Sequence, residues 1–332
     1  MDIETSAALD EAAPQAVPQL ARILVLDPVD SGALARLSQE YDVQVRIQPS
    51  TELLPTLVGE CEVIIVRSGV QLTRDVIEAA GNLRCIARAG SGVDNIDLEA
   101  CRERGITVFN IPGASASAVA ELAIGVAIVL SRNIKRADRQ IENGVWNKSA
   151  LSGPGLRGRT LGVVGFGQIG SRVATLGLAH GMKVNASVAS PTPGRISAAR
   201  LERIELVPID QLIRESDVVC LALPLTSSTH RLIDGDRIAS MQPGAILVNV
   251  SRGQIIDESA IAAALDSGQL GGVALDVHAA EAGRPMLAGR DNVVLTPHLG
   301  AATSTAQKLI GHILVAELEA YFEGTEPANR VV

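Results

Sequence analysis

The chain has 332 residues, and 29 Lys+Arg against 37 Asp+Glu give a formal net charge of −8. That balance lacks the basic footprint of a general nucleic-acid binder, and 1 Trp, 2 Tyr and 3 Phe leave no aromatic platform for stacking unpaired bases. Hydrophobic residues at 47% are too many for a disordered chain and leave Val, Ile, Leu and Ala to build the core.

Residues 1–21 carry acids and prolines without a basic start or an apolar stretch. They read as a disordered tail rather than a signal peptide. From Arg22 onward, short apolar runs alternate with helical stretches. RILVLD (22–27), VQVRI (43–47), EVIIV (62–66), RCIARAG (84–90) and ITVFN (106–110) read as strands covered on both faces. GALARLSQEY and TRDVIEAAG between them have helical spacing, with Gly81 as a helix stop. Ser117 to Asn143 then reads as one long helix, apolar in its first half and charged in its second, with Gly144 as its left-handed cap. Its apolar run, Leu122 to Leu130, falls well short of the roughly 18 residues of a membrane span.

A second series follows. LGVV (161–164), KVNASV (183–188), DVVCLALP (217–224), AILVNVS (245–251), GGVALDV (271–277) and NVVLTP (292–297) read as strands, with helices between them such as 258–267. Such repetition predicts an α/β fold with a Rossmann-type doubly wound parallel sheet. A final helix, Thr303 to Phe322, is expected to cross back and complete the first, smaller α/β unit. The expected division is 22–115 with 300–332 as a substrate-binding domain and 116–299 as a dinucleotide-binding domain. Cys61, Cys85, Cys101 and Cys220 lie far apart with no C-x-x-C, so reduced thiols, a cytoplasmic protein and no metal site are expected.

Gly165-Phe166-Gly167-Gln168-Ile169-Gly170 is a G-x-G-x-x-G run between a strand and a helix, the context that makes this motif a dinucleotide fingerprint. Gly165 permits the tight turn, Gly167 lets backbone N–H groups approach a pyrophosphate, and Gly170 lets helix and strand pack closely. The helix N-terminus adds partial positive charge. The next strand lacks the acid that usually binds the NAD ribose: none occurs between Met182 and Leu201. Ser187, Ser190 and Arg195 stand there instead, suited to donate to a 2′-phosphate. The cofactor is expected to be NAD or NADP, with the preference open.

Three polar residues follow three strands of the second series: Arg252, Glu281 and His298. In an open parallel sheet ligands bind beyond the strands' carboxyl ends. This set fits interconversion of a 2-hydroxy acid and a 2-keto acid, where the cofactor carries the hydride. Arg252 would grip carboxylate or carbonyl oxygen, His298 would carry the proton, and Glu281 would hold the imidazole and favour its charged form. His180, His230, His278 and His312 lack comparable company. Arg67 and Arg88, after two strands of the first series, are placed to bind a phosphate across a cleft.

RAGSGVDNID (88–97), VVGFGQIG (163–170), NVSRG (249–253), ALDVHAAE (274–281) and TPHLGA (296–301) occur in this order. Together they resemble the D-isomer-specific 2-hydroxyacid dehydrogenase family, over about Arg22 to Phe322. VRSGVQLT (66–73), NIPGASASAVAELAIG (110–125) and LSGPGLRGRTLGVVG (151–165) are most similar to its phosphoglycerate dehydrogenases. The resemblance implies a flavodoxin-like substrate domain and the same roles for Arg252, Glu281 and His298. It adds cofactor contacts at Ser91, Gln168, Ile169, Val250, Asp276 and Gly300, and substrate contacts at Arg67, Ser68, Arg88 and Gly92. It implies a small-molecule hydroxy or keto acid as partner, with D-3-phosphoglycerate and serine biosynthesis leading. A homodimer built around 117–143 and Trp146 is also implied, with no nucleic-acid or membrane partner. Reductases of glyoxylate, hydroxypyruvate or another keto acid remain alternatives, as does a dinucleotide-sensing corepressor of the same fold. Two departures stand out. Ala282 follows Glu281 where the family usually has Pro, and the sequence stops soon after its last helix, so feedback through a C-terminal regulatory domain is not expected.

Overall fold

The computed structural model describes residues 20–279 and 283–332; residues 1–19 of the tail expected over 1–21, and Glu281, lie outside them. The first unit runs β1 (Arg22–Val25), α1 (Ser31–Leu37), β2 (Asp42–Val45), α2 (Leu54–Val58), β3 (Val63–Val66), α3 (Arg74–Ala79), β4 (Cys85–Arg88), α4 (Leu98–Glu103) and β5 (Thr107–Asn110). Its strands pair in parallel in the order β2-β1-β3-β4-β5, the flavodoxin-like arrangement. β3 and β4 are buried at every position: VIIV is wholly apolar, and CIAR is apolar up to Arg88, which ends the strand at the rim of the sheet. Apolar residues of α2, α3 and α4 cover one face.

The second unit begins with α5 (Ala116–Ser131) and α6 (Ile134–Glu142). It continues through β6 (Thr160–Val164), α7 (Gln168–Ala179), β7 (Lys183–Ser187), α8 (Pro193–Leu201), β8 (Glu205–Leu206), α9 (Ile209–Glu215), β9 (Val218–Leu221), α10 (Gly235–Ser240), β10 (Ala245–Asn249), α11 (Glu258–Asp266), β11 (Leu270–Leu275) and β12 (Val293–Leu295). The sheet order β12-β11-β10-β9-β6-β7-β8 is that of a doubly wound Rossmann sheet. Residues of α5 and α7 pack on one face and those of α9, α10 and α11 on the other. α12 (Ser304–Phe322), capped by the Thr303 hydroxyl, crosses back. Its Ile310, Leu314, Val315 and Leu318 pack with Ala33 and Leu37 of α1 on the open face of the first sheet.

Three features depart from expectation. The single helix over 117–143 is two, meeting at an angle of 61°. Asn133 takes the left-handed conformation at φ 54° between them, a state whose cost is lowest for Gly and Asn. Gly144 (φ 71°) follows the second helix as expected. β8 is a two-residue edge strand too short to leave a sequence signal. The final residues add to the edge of β5, where Val108 N donates to Val332 O (3.1 Å) and Val331 N to Val108 O (2.7 Å). Among the described residues no single helix is long and apolar enough to cross a membrane.

Candidate active site

In a parallel sheet all carboxyl ends point one way, so side chains just past the strands collect on one rim. Here the two rims face each other across a cavity of about 330 Å³. Arg67, Ser68 and Arg88 line it from the first sheet, and Arg252, Asp276 and His298 from the second. Ser91, Gly92, Ile169, Val250 and Arg252 are shared with a second cavity of about 620 Å³, which runs past Gly167 and Gln168.

The glycine loop forms the wall of that larger cavity. Gly165 sits at φ 95°, and its N–H donates to Ser187 O at 2.8 Å. A Cβ on Gly170 would lie 1.9 Å from Gly165 O, so the first turn of α7 can pack against the loop that follows β6 only because it holds a glycine there. A Cβ on Gly167 would meet nothing within 4 Å. The N-terminus of α7 therefore opens onto free space, where a dinucleotide's pyrophosphate fits against backbone N–H groups. Gln168 packs on Gly113. Ser187 is buried at the end of β7, whereas Ser190 and Arg195 are exposed, and none of the three lines either cavity.

The smaller cavity gathers cations. Arg88 is only 6% exposed, and its Nε has no hydrogen-bond partner among the described residues. Burial, reinforced by the charges of Arg252 and Arg67, pushes its guanidinium down to about 10. Burial also lowers Arg67, against the opposing pull of Asp27. Two carboxylates missed in the sequence hold this cluster. Asp27, 2% exposed, accepts the Arg67 backbone N–H at 2.6 Å. Asp94 takes Arg252 Nε and Nη2 at 2.7 Å each. Burial opposes ionisation of Asp94, but its hydrogen bonds to Arg252 and that residue's charge hold the carboxyl below its usual range. The partners are 158 residues apart, so no local pattern announces the pair.

His298 is half-buried at the cavity wall, in the left-handed conformation (φ 56°). For a residue with a Cβ this costs roughly 1–2 kcal/mol. Asp276 offsets it. The carbonyl of Asp276 accepts His298 N (2.8 Å), and its carboxylate accepts Thr296 Oγ1 (2.7 Å), Leu299 N (2.6 Å) and Gly300 N (2.8 Å). Asp276, where the resemblance implied a cofactor contact, lines the cavity and also holds the turn that carries the histidine. Arg252 and His298 share the cavity; Glu281, the third of the expected trio, lies outside the described residues.

The glycine geometry separates two roles. Gly170→Ala forces a backbone shift and should lower the unfolding midpoint by several degrees, whereas Gly167→Ala should leave it unchanged while weakening NADH binding at least tenfold. Thermal unfolding and NADH fluorescence titration measure both. Equal midpoints for the two variants would contradict the close approach at Gly170.

The model of the D-isomer specific 2-hydroxyacid dehydrogenase NAD binding domain matches residues 124–300. The chain is 42% identical over 302 residues to a hydroxypyruvate reductase of Thermotoga maritima, covering 90% of this chain and 97% of that one. It is 40% identical over 316 residues to a D-3-phosphoglycerate dehydrogenase of Methanocaldococcus jannaschii, covering 94% of this chain but 59% of that protein's length. A solved structure of Aquifex aeolicus D-lactate dehydrogenase, complexed with NAD and lactic acid, aligns with a TM-score of 0.85 at 28% identity, over 94% of this chain and 99% of that one. With its two parallel sheets and its glycine loop between strand and helix, the chain belongs to the D-isomer specific 2-hydroxyacid dehydrogenase family and is an NAD(P)-dependent oxidoreductase close to the phosphoglycerate dehydrogenases.

Proposed function

We propose that the enzyme interconverts D-3-phosphoglycerate and 3-phosphohydroxypyruvate. The observation that carries this reading is Arg88: a buried guanidinium whose Nε has no partner among the described residues, flanked by two further arginines in one cavity. A buried charge is costly until a counter-charge meets it, and three clustered cations suit a ligand anionic at both ends. Arg67, Ser68 and Arg88 would hold the phosphate. Arg252 would take the carboxylate and carbonyl oxygens through its free N–H groups. A nicotinamide dinucleotide held along the glycine loop would supply or accept the hydride at C2 of the substrate. His298 would deliver the proton to the carbonyl oxygen in reduction and remove it from the hydroxyl in oxidation. Glu281 would orient that imidazole. Residues 22–115 with 300–332 and residues 116–299 would act as two lobes whose closure excludes water.

A second reading, reduction of unphosphorylated hydroxypyruvate, is favoured by the Thermotoga relative, which matches this chain over 97% of its own length. A crossed screen separates the two: phosphohydroxypyruvate, hydroxypyruvate, glyoxylate and pyruvate, each with NADH and NADPH. The first reading expects kcat/KM for phosphohydroxypyruvate at least about tenfold above the others; rapid turnover of hydroxypyruvate or glyoxylate with none of the phosphate ester overturns it. Because β7 and the residues after it lack an acid, NADPH is expected to serve comparably to NADH, and a strong preference for NADH would exclude that. With the best substrate, His298→Asn should cut kcat by about 10²–10⁴ and leave NADH affinity within a few-fold. Full activity would place the proton carrier elsewhere.

The homodimer follows from the same family reading. Ile134, Ile141, Val145 and Trp146 (87% exposed) form an apolar surface on and after α6 that a second copy would cover. Sedimentation should give a dimer mass, and Trp146→Glu should weaken it; a monomer at micromolar concentration would contradict this.

A further inference from the structure

Arg252 extends from the loop after β10 of the second sheet, and Asp94 from the loop after β4 of the first. Their contact crosses between the sheets as a two-pronged ion pair, Nε to Oδ2 and Nη2 to Oδ1, both 2.7 Å. Nη1 donates to Ser251 O at 2.7 Å. A guanidinium has five N–H donors, so one remains on each terminal nitrogen to face the cavity. The approach is tight. A Cβ on Gly92 would lie 1.9 Å from Arg252 Nη2 and 2.8 Å from Asp94 Oδ1, so a side chain there would displace the pair from this geometry. The next residue, Asn95, is 6% exposed and donates to Arg67 O (2.7 Å) and Val70 O (2.6 Å), which ties the strap bearing Arg67 to the same loop.

We infer that Asp94 is a positioning residue: its carboxylate fixes the planar fork of Arg252 from the opposite sheet and aims the two remaining N–H groups at the substrate. Arginine carries long rotamer freedom, and one anchored edge leaves the other edge pre-oriented. The same contact makes the guanidinium's presentation depend on the two sheets being together. The inference rests on the role proposed for Arg252 and goes beyond it.

A double-mutant cycle tests it on the full-length enzyme, using the keto acid that the wild type turns over best. Arg252→Met alone tests the underlying reading; if kcat/KM is unaffected, Arg252 is not a catalytic residue and the inference falls with it. Given that loss, Asp94→Ala is expected to lower kcat/KM at least tenfold in the wild-type background but less than threefold in the Arg252→Met background, with NADH affinity within twofold throughout. Asp94→Glu keeps the charge on an arm one methylene longer and should recover part of the loss. Three further results overturn the inference. One is an Asp94→Ala enzyme as active as wild type while Arg252→Met is impaired. Another is the same Asp94→Ala penalty in both backgrounds. The last is loss of NADH binding in both Asp94 variants, which would make the residue a support of the fold alone.

Discussion

Like charges crowded out of water are the constraint around which this molecule is arranged. Taking one ion from water into a protein costs several kcal/mol unless a counter-charge and hydrogen bonds replace the solvent. Arg67, Arg88 and Arg252 share one cavity, and Arg88 is nearly enclosed. Two carboxylates answer only part of that demand: Asp27 holds the backbone of Arg67, and Asp94 holds the fork of Arg252. Among the described residues the Nε of Arg88 is left without a partner, which suits a site for an anionic ligand. A protein optimised for stability alone would not keep it there.

The fold delivers these groups through two parallel sheets whose carboxyl ends meet. Arg88 closes β4, Arg67 follows β3, Arg252 follows β10 and His298 follows β12. Arg88 is the last residue of a buried strand and the other three sit on short loops that follow strands, so the cavity inherits the rigidity of both sheets. Asp276 shows how closely the turn is specified, because one carboxylate and one carbonyl fix four groups of the 296–300 segment and hold His298 in a left-handed state. The glycine loop is specified by the opposite means, the absence of side chains, with Gly170 nearly touching Gly165 and Gly167 facing open space.

The parts of this arrangement that depend on local sequence were legible. Short runs rich in Val, Ile and Leu marked eleven strand positions; the central ones are buried because a strand covered on both faces has no polar phase, whereas β2, expected to be covered like the rest, lies at the sheet edge and is largely exposed. The glycine fingerprint was recognisable because its constraint is confined to six residues between a strand and a helix. Arg252 and His298 could be singled out as polar residues immediately after strands. What stayed hidden depends on distance or on single backbone angles. The Asp94–Arg252 pair joins residues 158 apart, and Asp27 read only as the end of a strand. The break at Asn133 turns on one left-handed residue within a stretch of otherwise helical propensity. The edge pairing of Val331 and Val332 depends on where α12 returns the chain.

In the proposed reading, Arg88 waits for a second negative charge on the substrate. The most direct measurement is the ratio of kcat/KM for phosphohydroxypyruvate to that for hydroxypyruvate, in the wild type and in Arg88→Met. If the claim holds, the ratio is large in the wild type and collapses toward one in the variant, while NADH affinity is retained. A ratio unchanged by the substitution would mean that the phosphate is not read at Arg88, and the account would be wrong at its foundation.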